Sequence, residues 1–210
     1  MHFEGFNQSD FDTFKIEGLE SRMEAIQDRI RPKFQTIGQL LTDELTTAAG
    51  NEMFLHVAKH ARRTVNPPQD TWLAIAANKR GYKQHPHFQV GLFDDHVFIW
   101  LAFIYELPNK TEIAKNFLEE FDNVSKTIPN NFHISLDHMK KDSKTIESIG
   151  KQGLLTALER FRDVKKAEFL VGRQIQANDP ILSNGEKFLS VVKDTFKTLI
   201  PLYKLSLLQK

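Results

Sequence analysis

The chain contains no cysteine, which excludes disulfides, thiolate zinc sites, iron–sulfur clusters and thiol nucleophiles together. It has no excess of one charge: over 210 residues, 28 Lys and Arg stand against 27 Asp and Glu. The resulting net +1 rules out a globally basic nucleic-acid binder and an acidic solvating tail. Tyrosine and tryptophan are scarce, three and two against 17 phenylalanines, so aromatic bulk is used mainly for packing. No long hydrophobic run occurs. The longest, Val97 to Tyr105, is nine residues, about half a membrane-spanning helix. The start, Met1 to Phe6, has neither a basic nor an apolar leader region, so a soluble, cytoplasmic protein is expected. Walker, Rossmann-glycine and G-x-S-x-G patterns are missing, which removes P-loop nucleotide hydrolysis and α/β-hydrolase chemistry.

What is present, 40% hydrophobic and 26% charged residues, is the composition of a globular protein long enough to bury its own core. No low-complexity linker divides it, so a single domain over residues 1–210 is expected. From Leu19 to Leu45 apolar residues recur every three or four positions, the pattern of an amphipathic helix. Pro32 interrupts the stripe and predicts two helices, or one kinked near Arg31, ending at Gly50. The period then drops to two. Strands are expected over 53–60, 72–77, 87–93 and 97–106, the last pair forming a hairpin across Asp94-Asp95. Asn109 with Glu112 reads as a capping box opening a helix through Val124. A half-exposed strand over 132–137, a helix over 151–163 and a strand over 167–175 follow. Ser183 with Glu186 predicts the cap of a last helix, bent at Pro201. The turn Ser9–Asp12 reads as a solvated cap of the first helix. The fold class is therefore α+β, a mostly antiparallel sheet of about six strands packed with about five helices.

The even charge total hides an uneven distribution. Residues 1–50 carry a net −4, residues 51–91 a net +4 and the remainder +1. The basic segment also holds His56, His60, His85 and His87, half of the eight histidines. Arg presents a fixed fork of donors to phosphate or carboxylate, Lys adds a point charge, and histidine titrates near neutrality. Lys59, Arg62, Arg63, Arg80 and Lys83 are therefore candidates for holding an anionic small molecule, and His60 or His87 for carrying a proton. The plainer alternative is a set of solvated loops neutralised by the acids of the first helices. A nucleic-acid surface with Trp72, Tyr82 and Phe88 as stacking platforms is disfavoured by the charge total. A non-catalytic interaction module, monomeric or homodimeric through its amphipathic helices, is a further alternative.

Two motifs bear on chemistry. His56 and His60 have the spacing of a helical two-histidine metal site, but the glutamate after the first histidine is missing. On a strand they lie roughly 13 Å apart, so no metal is expected. His133-Ile134-Ser135-Leu136 matches the H-x-[ST]-hydrophobic element that two-histidine phosphoesterases use twice. Its second copy is absent, because Gln89 and Ala58 stand where the hydroxyl belongs. No cofactor is indicated.

Three blocks carry a resemblance: Phe6–Phe11 leading into Gly18–Met23, His56–Pro68, and Arg80–Lys83 with His85–Leu92. Together they resemble the YktB family, uncharacterised cytosolic proteins of Firmicutes, nearly end to end. The resemblance implies a compact α+β fold around an antiparallel sheet. It implies no activity, cofactor or catalytic residue.

Overall fold

Asn7 opens the first helix, α1 (Gln8–Asp12), because its side chain accepts from Ser9 N at 2.9 Å while Asp10 accepts from Asn7 N at 2.8 Å. The computed structural model describes residues 2–208; Met1, Gln209 and Lys210, the ends of the expected domain, lie outside it. The acidic turn, expected to be solvated, is so only in part. Asp12 is exposed beside Lys15, but Asp10 is buried and pairs with Lys33 at 2.6 Å.

The amphipathic stripe forms α2 (Leu19–Ala25) and α3 (Arg31–Ala49), joined by a π-helical turn over Ile26–Ile30. Arg31 N–H reaches back five residues to Ile26 O, and this wider turn places Pro32 in the first turn of α3, where a missing N–H is tolerated. The interruption is thus a widening of a continuous helical path. It ends at Gly50, whose left-handed backbone (φ 80°) lets its N–H cap Thr46 O.

The strands are β1 (Phe54–Val57), β2 (Thr71–Ala76), β3 (His87–Leu92), β4 (His96–Phe103), β5 (His133–Ser135), β6 (Lys144–Thr145) and β7 (Phe169–Gln176). They form one sheet in the order β1-β2-β3-β4-β7-β5-β6, antiparallel at every pairing. The sheet has one strand more than expected because the two-residue β6 carries no alternation to read. β1 is shorter than expected: after Ala58 N–H bonds to Trp72 O, the backbone leaves the ladder and His60 takes a positive φ of 51°. The 97–106 strand likewise stops at Phe103.

The remaining helices are α4 (Lys110–Glu119), α5 (Phe121–Thr127), α6 (Ile146–Asp163) and α7 (Gly185–Ser206). The capping box expected at Asn109 does not form; its side chain makes no cap bond, and the predicted single helix breaks at Glu120. What anchors this end is Lys110, buried, whose Nζ donates to Phe161 O (2.5 Å), Val164 O (2.8 Å) and Ala167 O (3.4 Å) at the C-terminus of α6. Gly150, at φ 61°, bends α6 just before Lys151, where the sequence places the start of that helix. The cap of α7 is Asn184, bonded to Lys187 N at 3.0 Å, because Ser183 belongs to a preceding 3-10 turn and donates to Pro180 O. No helix of the described residues is long and apolar enough to cross a membrane.

Alternation along the strands divides the sheet into two faces. One carries Leu73, Ile75, Phe88, Val90, Ile99, Leu101, Phe103, Phe169 and Val171, and packs on Phe34 and Leu41 of α3, Phe161 of α6 and Phe188 and Phe196 of α7. The other carries Trp72, Ala74, Phe98, Trp100, Ala102 and Leu170, a cluster with no helical member. Gly91 lies across from Phe98 on this second face, and the Phe98 ring occupies the space a side chain there would need.

Candidate functional site

The register gathers the histidines on the face that helices leave bare. His56 pairs with Ala74, and His87 with Ala76 and Ala102, so their side chains share one side of the sheet with Trp72 and Trp100. Loops 58–70, 77–86 and 136–143 supply its covering. Trp72 Nε1 donates to Tyr82 Oη at 2.9 Å, Tyr82 lies edge-on to His87, and His60 lies edge-on to Trp72.

The 77–86 loop and the end of β1 border an open cavity of about 840 Å3, lined by His56, Lys59, Lys79, Arg80, Tyr82, Lys83, His85 and Glu106, among others. Lys83 pairs with Glu106 at 3.2 Å. Lys59, Lys79 and Arg80 have no carboxylate within 4.0 Å among the described residues. Three acids of the first helices pair elsewhere: Asp10 with Lys33, Asp12 with Lys15 and Glu44 with Lys193. The helix α3 instead brings a further cation, since Arg31 donates to Lys59 O at 2.9 Å. Asn78 shapes the loop by accepting from Arg80 N and Gly81 N.

Of the residues singled out in the sequence, Lys59, Arg80 and Lys83 converge on this cavity, and Arg62 and Arg63 do not line it. Arg62 is exposed, while Arg63 donates to Asn66 O at 3.3 Å. His60 is half-buried with Nε2 against Thr71 Oγ1 at 3.1 Å; burial, helped by the charges of Arg63 and Arg31, pushes its pKa down to about 4. His87 is fully buried behind Tyr82. Its Nδ1 faces His85 O at 2.8 Å, an acceptor only, so Nδ1 carries the proton and Nε2 accepts from the Gln89 amide at 2.8 Å. Burial pushes His87 down to about 4 as well, and both ring nitrogens are engaged. The histidines that line the cavity are therefore His56 and His85, with His56 Nε2 at 2.8 Å from Asn78 O.

A second constellation, in the loop after β5, was not singled out in the sequence. Glu168, buried, accepts from His138 N (2.7 Å), His138 Nδ1 (2.8 Å) and Tyr105 N (3.3 Å). Burial works against a charged His138 ring, but the Glu168 carboxylate outweighs it and holds the imidazolium above its usual range. Asp70 lies nearby, 2% exposed, with Oδ2 unpartnered; burial pushes its pKa up to about 7 against the field of His138. The one sequence signal for this group was Glu168 itself, a lone acid at the head of an apolar strand. His133 and Ser135 share this face of the sheet with His87 and Gln89, but Trp100 and Gly172 on β4 and β7 lie between His133 and Gln89.

Residues 6–203 match the family described as a domain of unknown function, DUF1054. A UPF0637 protein of Oceanobacillus iheyensis is 59% identical over 203 residues, 97% of this chain and 97% of its own length. One of Shouchella clausii is 58% identical over 207 residues, 99% of this chain and 97% of the relative. One of Listeria monocytogenes serotype 4b is 52% identical over 208 residues, 99% and 100% of the two chains. Matched over nearly its whole length, the chain belongs to the DUF1054 (UPF0637) family, of which the YktB proteins are members.

Proposed function

We propose that the protein binds an anionic small molecule, bearing phosphate or carboxylate, in the cavity between the end of β1 and the 77–86 loop. The observation that carries this reading is the convergence of Lys59, Lys79, Arg80 and Lys83 on one cavity of about 840 Å3 with a single facing acid, Glu106. Cations placed together without counter-charges repel one another, and an anion relieves that repulsion while accepting their hydrogen bonds. Arg80 supplies the planar fork and the lysines supply point charges. His56 and His85 add ring nitrogens at the wall. Tyr82 gives the cavity an aromatic side, held in place by the Trp72 indole.

The test is thermal stabilisation by inorganic phosphate, pyrophosphate and citrate at constant ionic strength. The wild-type protein is expected to gain several degrees with at least one of them, and the double variant Lys59→Ala, Arg80→Ala to lose that gain. Equal stabilisation of both proteins, or none in the wild type, overturns the reading. Arg62→Ala is the control expected to behave like the wild type, since Arg62 does not line the cavity.

A further inference from the structure

Tyr105 and Glu106 separate two cavities. Glu106 lines the basic one, and Tyr105 lines another of about 980 Å3 between the loop after β5 and the helix α6. On the wall of this second cavity Asp137, His138 and Glu168 each present one metal-binding atom, all within 4.8 Å of one another. Donors sharing a zinc- or manganese-sized ion sit about 2.1 Å from it, hence roughly 3.0–3.4 Å apart at octahedral or tetrahedral angles, so closing by about an ångström or a little more brings the three onto one ion, and the His138 imidazolium gives up one ring proton to solvent as the metal binds. The movement is available. Asp137 and His138 are half-buried loop residues, while Glu168 is fixed by the N–H groups of Tyr105 and His138.

An independent observation points the same way. Asp70 Oδ2 is buried with no hydrogen-bond partner among the described residues, and His138 is the foremost positive neighbour acting on it. A buried carboxylate oxygen without a donor is uncommon in a folded protein.

We propose that Asp137, His138 and Glu168 bind a divalent ion of the zinc or manganese class. A ring nitrogen among oxygen donors favours these ions over calcium and magnesium, whose sites are built from oxygen alone. Three protein donors leave coordination positions open, and they face the cavity, where Lys144, Arg160 and Lys166 stand on the surrounding wall. The site is separate from the basic cavity and does not depend on anion binding there.

The experiment uses untagged full-length protein stripped with chelator, titrated separately with Zn2+, Mn2+ and Co2+. The melting temperature and tryptophan fluorescence are followed, because the Trp72 ring lies 6.4 Å from the His138 ring and paramagnetic Co2+ there quenches it. The wild type is expected to gain stability with Zn2+ or Mn2+ and to lose fluorescence with Co2+. Asp137→Asn, at a half-buried loop position that leaves the fold intact, should weaken binding about tenfold or more. His138→Gln, checked for folding by circular dichroism, should remove it. Lys59→Ala with Arg80→Ala should leave the metal titrations unchanged, which separates this site from the anion cavity. The absence of any shift or quench in the wild type overturns the proposal. So do titrations that are unchanged in both Asp137→Asn and His138→Gln, since binding would then lie at other histidines.

Discussion

On the helix side of the sheet, Phe88, Phe103 and Phe169 meet Phe196, Phe117 and Phe161 at ring separations of 4.8–6.4 Å, and the contact is one of volume. On the loop side, Trp72, Tyr82, His60, His87 and His138 also meet ring against ring, but each carries a polar atom that must find a partner. The helix side is the more completely buried; on the loop side Tyr82, His60 and His138 keep part of their surface in solvent. Dispersion and exclusion of water hold the first in any protonation state. Directional hydrogen bonds hold the second, and they survive only while the histidines keep their native protons. The basic cavity opens on the loop side, while the second lies at the sheet margin between the loop after β5 and α6.

The largest expected effect tests the helix side. Phe103→Ala removes a ring in contact with Phe117, Phe161 and Phe169, and should cost about 4 kcal/mol in urea unfolding at neutral pH. Phe98→Ala on the loop side should cost less, because the neighbouring loop can settle over Gly91. Equal losses would erase the contrast between the faces.

The next effect belongs to the loop side alone. His87 is held near pKa 4 in the folded chain against about 6.5 unfolded. Between these values the unfolded chain binds the extra proton, so stability present above pH 6.5 is lost as pH falls toward 4. The loss from this one residue is on the order of 3 kcal/mol, and His87→Gln should make the stability–pH curve shallower in that window, the slope that remains coming in part from His60. A curve as steep as that of the wild type would place the acid sensitivity elsewhere.

A smaller effect is expected for Tyr82→Phe, which strips the Trp72 indole of its acceptor. The cost should be about 1 kcal/mol, with a shift of tryptophan emission. Smallest of all, Lys83→Gln breaks the exposed pair with Glu106 and should change stability by less than about 0.5 kcal/mol. A larger loss would mean that this pair closes the cavity mouth rather than decorating it.

The helix side was legible in the sequence because periodicity states it. The stripe from Leu19 to Leu45 and the alternation through β2, β3 and β4 name their buried residues directly. Capping was less legible. Asn109 and Ser183 satisfy the capping pattern, yet Lys110 holding three carbonyls and Asn184 beyond a 3-10 turn took over those roles through tertiary contacts. For the basic cavity, charge counted by segment found the region and three of its five named cations. It could not tell that the 58–70 loop turns Arg62 and Arg63 away, because a backbone leaving a sheet at His60 has no periodic signature. The His138–Glu168 pair joins residues 30 apart only because β7 inserts between β4 and β5. That order is a property of the whole sheet, with no trace in either local segment.

The same strand order decides how the sheet ends. Its eight-residue strands, β4 and β7, lie inside, while the margins are β1 with four residues and β6 with two. A neighbouring chain seeking backbone partners finds only these short ledges, one of them beside the cationic cavity wall. Templated strand addition, the first step toward fibrils, has little ladder to grow on. A protein with seven strands among its described residues and 17 phenylalanines thereby keeps its most adhesive segments out of reach of other copies of itself.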